Sequence, residues 1–217
     1  MGGRLSSQGS IIMISADIDT ATVAMTGATK AKPCVLSVAA GSEPAVGAIV
    51  VPRGTGWNTI EGTPFKVSAS GAGSVTLEDS DTTDETADIL GTASLSKPTF
   101  LELCRSNFTA SQPAGATIDV TTMCDPAHRI IAGLPAIGTW TAASFYDADD
   151  TALSRARDYY RSGEDCVIDV RLRDKTGWTF MGIVQTFDVS LGINAAVANT
   201  VGGQIDGEVH FYKTAAP

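Results

Sequence analysis

Apolar and polar positions alternate with a period of two along several stretches, the mark of strands that turn one face to a core. In DCVIDVRLRD, Cys166, Ile168, Val170 and Leu172 fall on one face and Asp169, Arg171 and Arg173 on the other. In IDGEVHFYK, Ile205, Gly207, Val209 and Phe211 oppose Asp206, Glu208, His210 and Tyr212. TIDVTTMC groups Ile118, Val120, Thr122 and Cys124 opposite Asp119, Thr121 and Met123, so that Cys124 shares a face with core positions. WTFMGIVQTFDVSLG is apolar on both sides, as expected of a strand buried against a second sheet or another subunit. Gly182 within it is a candidate bulge.

Two segments change period and predict helices. In DADDTALSRARDYYRSG, Asp147, Asp149 and Asp150 crowd the start, Arg155, Arg157 and Arg161 follow, and Gly163 ends the run. That order suits capping and the helix dipole. Leu153, Ala156 and Tyr160 form its apolar stripe. In KPTFLELCRSN, Pro98 suits a first turn, with Phe100, Leu103, Cys104 and Asn107 on one side, which predicts a second, short helix. Residues 46–83 read as short β segments separated by glycine turns, a possible β-rich insertion, and the acidic stretch EDSDTTDETAD reads as a solvated loop. No repeat of fixed period is present, and one domain spanning 1–217 is expected.

Composition narrows the class. With 43% apolar and 18% charged residues and 22 glycines, the chain is an ordered, turn-rich globular protein. Its 15 basic and 24 acidic residues give a net charge of −9, which argues against a surface built to grip phosphate backbones. No apolar stretch approaches the roughly 18 residues of a membrane span, and the N-terminus does not read as a signal peptide, so a cytoplasmic product is expected.

The candidate chemistry centres on TTMCDPAH, which sets Cys124, Asp125 and His128 close together. A metal site there lacks the rest of its ligand set, since the four cysteines, at 34, 104, 124 and 166, form no CxxC pair and His210 is the only other histidine. A Cys–His nucleophile needs an exposed thiol, whereas the alternation turns Cys124 inward. Pro126 instead makes the stretch a strand running into a turn, with Asp125, His128 and Arg129 at a loop. DADD lacks the spacing of a calcium loop. No nucleophile elbow, phosphate loop, HExxH or GxGxxG occurs, and no enzyme activity or cofactor is expected. Trp57, Trp140 and Trp178 are scattered without basic interleaving and read as core or subunit-contact anchors.

Taken as an ordered set, LSSQGSIIMIS, FLELC, DVTTMCD, IIAGLPAIGTWT, FYDADD, FMGIVQTFDV and GGQIDGEVHF resemble the major tail tube proteins of long-tailed, siphovirus-type bacteriophages. The resemblance covers most of residues 94–212, as a tube core, plus an N-terminal arm at 1–16. Residues 40–83 depart from the family's compact form. The resemblance implies a mainly β fold, a β-sandwich or barrel with one flanking α-helix and a second short helix. It implies a structural protein of the virion tail, assembled in the host cytoplasm into stacked hexameric rings that form a hollow tube for delivery of viral DNA. The implied partners are other copies of the chain and the tail terminator, tape measure and distal tail proteins. DNA would pass through the lumen without specific binding, and no membrane is involved. Ile11, Ile12, Met13 and Ile14 in the arm, the loop residues Asp125, His128 and Arg129, and Trp178 are the candidate subunit or ring contacts. A tube protein of type VI secretion and a β-sandwich adhesion or carbohydrate-binding module are the alternatives; the latter is expected to show clustered aromatics and a secretion route.

Overall fold

The computed structural model describes residues 9–113, 115, 117–121, 127, 129–132, 136–193 and 195–213. It is mainly β. The strands are β1 (Ile11–Ala28), β2 (Val35–Val38), β3 (Ile49–Arg53), β4 (Phe65–Gly71), β5 (Ser74–Leu77), β6 (Ser94–Glu102), β7 (Asn107–Ser111), β8 (Thr117–Asp119), β9 (Ile130–Ala132), β10 (Thr139–Phe145), β11 (Asp165–Arg171), β12 (Gly177–Ser190) and β13 (Ala198–Tyr212). One helix, α1 (Thr151–Ser162), stands among them in the described residues.

All pairings are antiparallel, in the order β2-β5-β4-β3-β6-β1-β11-β12-β13-β10-β7, and β2 also pairs with β1. That extra pairing closes β1, β2, β5, β4, β3 and β6 into a six-stranded barrel, from which β11, β12, β13, β10 and β7 extend as an open sheet. Closure removes the barrel's edges. Residues 46–83 are therefore part of the barrel wall, supplying β3, β4 and β5 between strands on either side of them in sequence. Inside the barrel Trp57, Ile60, Phe65, Val67, Leu77 and Leu95 are buried, each contributing about 1.5–3 kcal/mol by leaving water. The indole N–H of Trp57 donates to Ala87 O at 3.0 Å, so its polar end is also satisfied.

One strand reaches all three cores. Ile14 of β1 lies in the core under α1, Ile18 in a small cluster between sheet and barrel, and Val23 and Met25 in the barrel. Register shifts at Ser15/Asp17 and Asp17/Ala21 rotate the strand between these environments. Opposite them, the KPTFLELC segment is strand β6 and not a helix. Pro98 falls between the pairs Asp17↔Thr99 and Ala21↔Lys97, at the irregularity, where a missing N–H breaks no regular ladder.

The all-apolar reading of β12 is met inside the subunit. Phe180 and Val184 face α1 and its core, while Met181, with Val167 of β11, faces Val51 and Ile49 of the barrel. Gly182 is no bulge: it pairs in register with Ile205, and the shifts of β12 fall at Thr179/Met181 and Val184/Thr186. A Cβ at Gly182 would come within 3.0 Å of Trp140 Nε1, so close approach of the indole is what excludes a side chain there.

Helix α1 starts and stops as its sequence predicts. Asp150 caps it, accepting from Ala152 N at 2.8 Å and Leu153 N at 3.1 Å. Gly163 ends it at φ 70°. The buried stripe is Ala152, Leu153, Ala156 and Tyr159; Tyr160, expected in it, is 48% exposed.

Candidate assembly surfaces

Burial reverses the polarity expected at the end of β13. His210 and Tyr212, on the face read as polar, are buried against the barrel, and Phe211, on the face read as apolar, is 56% exposed. The cause is tertiary: the barrel covers the first face, and α1 stops short of this end of the second.

The covered face holds a compact polar cluster. Asp169 is fully buried, its carboxylate accepting from Tyr212 OH and from Arg171 Nε, each at 2.7 Å. Lys66 Nζ of β4 lies 4.1 Å from the centre of the Tyr212 ring. Burial pushes the Asp169 carboxyl above its usual range against the pull of Arg171 and Tyr212, and burial lowers the Lys66 ammonium. The His210 ring lies 4.3 Å from that of Phe65, and burial lowers its pKa against the opposing pull of Glu208 and Asp79. These side chains fasten sheet to barrel. Buried ions that keep their partners hold geometry more than they add stability.

Of the three described cysteines, two are enclosed. Cys166 Sγ donates to Gly182 O at 3.2 Å, and burial drives its thiol strongly upward. Cys34 is buried and shifted upward for the same reason, and Cys104 is exposed. Among the described residues no group of three or more His, Cys, Asp and Glu side chains could hold a metal ion. No helix among them is long and apolar enough to cross a membrane.

The expected contact residues separate. Ile11 to Ile14 lie inside β1, paired with Arg171 to Ile168 of β11; Ile14 is 1% exposed and Ile12 packs on the same core, whereas Ile11 is 39% exposed. Residues 11–14 are thus not a detached arm, because pairing between β6 and β11 claims them. Arg129 sits where the β8–β9 hairpin enters its connecting loop; its N–H donates to Thr121 Oγ1 at 3.0 Å and Val120 N donates to its carbonyl at 2.9 Å. Strands β8 and β9 on either side of TTMCDPAH pair antiparallel, and β8, expected to run to Cys124, ends at Asp119 among the described residues. Asp125 and His128, with Cys124, lie outside the described residues. Trp178 is half-buried, its ring 6.3 Å from that of Phe211.

Apolar side chains also reach the surface at the ends of the open sheet, Trp178 among them. At one end, Leu191 is 81% exposed, Ile193 96% and Val189 46%, beside Phe145 at 67%. At the other, Phe108, Trp178, Ile205, Val209 and Phe211 line a groove of about 370 Å³. The β8–β9 hairpin pairs only with itself among the described residues and exposes Val120 and Ile131. Among the described residues, strand β7 pairs only with β10 and lies at the margin of the sheet.

The chain is a mainly β protein. No family model and no curated protein matches it. Among solved structures it is similar to a chain of the tail of an empty GTA particle computed with helical refinement in C6 symmetry. The identity is 19%, over 52% of this chain and 87% of that one, with a TM-score of 0.46. It is also similar to a chain of the virion of a native gene transfer agent particle, again at 19% identity, over 52% of this chain and 89% of that one, with a TM-score of 0.45.

Proposed function

We propose that the protein is a self-assembling structural subunit of a phage-type tail, stacking in hexameric rings as a hollow tube through which DNA passes. The observation that carries the reading is the β8–β9 hairpin, which pairs only with itself among the described residues and exposes Val120 and Ile131. A two-stranded ribbon is marginal by itself in water, and a further surface against which it packs makes it stable. The edge of β7, which pairs only with β10 among the described residues, adds a second surface, of the kind that subunits around a ring satisfy by pairing. The ordered resemblance of residues 94–212 to tail tube proteins supplies the kind of assembly. A net charge of −9 suits a channel through which a polyanion slides without sticking. The reading makes the protein a virion component with no catalytic role.

Light scattering on the protein eluting from a size-exclusion column tests self-association. Particles of six subunits or more are expected. A monomer that stays monomeric as its concentration is raised would overturn the reading.

A further inference from the structure

The aromatic groove of the open sheet lies beside the point where the described chain begins. Ile12 pairs with Val170, Val170 with Trp178 and Trp178 with Phe211, so these four residues form one row across β1, β11, β12 and β13. Val170 is buried in the core under α1, and Ile12 and Trp178 pack against it. Trp178 and Phe211 then line the groove of about 370 Å³ with Phe108, Ile205 and Val209. Ile12 therefore stands on the groove's own face, three strand spacings or roughly 14 Å from Phe211.

Upstream of Ile12 the chain bends toward that groove. Gly9 has φ 84°, in the left-handed region that favours glycine. A Cβ placed on it would lie 3.8 Å from Arg173 Cδ, in the connection between β11 and β12. The two neighbours of β1 in the open sheet are β6 and β11, so at Gly9 the chain lies on the side of β11, nearer the groove. From Gly9, Trp178 is two strand spacings across and three residues back along the strand, roughly 14 Å in all.

Residues 1–8, MGGRLSSQ, lie outside the described residues and supply an occupant. Leu5 is their branched apolar residue, set between Arg4 and two serines. It stands four residues before Gly9, about 13 Å along an extended chain, and its side chain spans the remainder. No charged residue lines the groove, which suits one aliphatic side chain whose neighbours stay in water. A tether this short presents Leu5 at an effective concentration in the millimolar range, on the order of a thousandfold above that of a second copy in micromolar solution.

We propose that residues 1–8 fold over the open sheet of their own copy and seat Leu5 in the groove between Trp178 and Phe211. The groove is then an internal docking site, and the segment is a cap that must leave before another chain can use it. The contact is made within one chain and does not depend on self-association.

Cross-linking within a chain tests the contact. Cys104→Ser with Cys124→Ser is the background, Cys34 and Cys166 being buried. Leu5→Cys is combined with Phe211→Cys in one protein and with Lys175→Cys in another. Lys175 is exposed at the same end of the sheet but outside the groove, so an unseated segment would reach both positions. Mild oxidation is expected to close a disulfide within one chain about tenfold faster with Phe211→Cys, the factor that burial of a leucine side chain supplies. Equal rates, no disulfide, or disulfides that join two chains would overturn the proposal. Acrylamide quenching gives a readout without new cysteines. Trp57 and Trp140 are each 1% exposed, so the half-buried Trp178 is the tryptophan that responds. A chain beginning at Gly9 and a full-length Leu5→Asp chain, each with unchanged circular dichroism, are expected to quench more strongly than the wild type. Quenching equal to the wild type in either would overturn the cap. Failure of these tests leaves the tube reading untouched, because none of them measures assembly.

Discussion

Tyr159 and Tyr160 are neighbours of one residue type with opposite fates. Tyr159 is 2% exposed, its hydroxyl 3.1 Å from Ser15 Oγ, which itself accepts from Val167 N at 3.0 Å. Tyr159→Ala is expected to cost about 3–5 kcal/mol in urea unfolding, and Tyr160→Ala about 0.5 kcal/mol or less; equal costs would contradict the assignment of the buried face. Asp150→Ala, which removes the cap of α1, is expected to cost about 1 kcal/mol. His210 makes stability depend on pH. Its pKa in the folded protein is below the unfolded value near 6.5, so its contribution is fully present above that value and is lost as pH falls through it. Thermal melts between pH 7.5 and 5.5 are expected to show a shallower loss for His210→Gln than for the wild type. Asp169, shifted the other way by burial, is common to both proteins and does not enter their difference.

At the scale of elements, what the chain declared and what it concealed divide along local and tertiary lines. The strands at 165–171 and 205–212 and the capped helix at 151–162 were legible as elements, as was the burial of β12 on both sides, but not which face is covered: Asp169, on the face read as polar, is fully buried. Covering is tertiary. Nothing in IDGEVHFYK says that a barrel will bury His210 and Tyr212 while Phe211 stays open, and the groove was illegible for that reason. FLELC misled because Pro98 and the spacing of Phe100, Leu103 and Cys104 satisfy a helix, whereas β1 supplies an irregular partner that tolerates proline in a strand. The apolar run Ile11–Ile14 read as part of an N-terminal arm because its partners in β11, residues 168–171, lie far along the chain. The segment 46–83 read as an insertion because its closure depends on β1 and β2. Because β1 and β6 run through both barrel and sheet, Trp57→Ala in the barrel is expected to cost about 3–5 kcal/mol and to lower the unfolding midpoint of the whole molecule in one transition. Separate transitions by circular dichroism and by fluorescence would show that the two bodies unfold independently.

At the scale of the whole molecule, the protein has a closed barrel at one side and an incompletely covered sheet at the other. Exposed apolar groups include Leu191, Ile193 and Phe211 at the sheet's ends and Val120 and Ile131 on the β8–β9 hairpin, and among the described residues Cys34, Cys166 and His210 are buried. The proposed building block needs a body fastened as Lys66, Asp169, Arg171 and Tyr212 fasten sheet to barrel, and surfaces that further copies can complete. Trimming the chain before Gly9 leaves β1 intact and separates any role of the first eight residues from that of the strand, whereas a cut at residue 15 would remove Ile14 from the core. The central claim is that these surfaces build a hollow assembly, and negative-stain electron microscopy of purified protein tests it most directly. Rings or tubes with a central channel are the expected result; a field of dispersed single subunits at every concentration would contradict it.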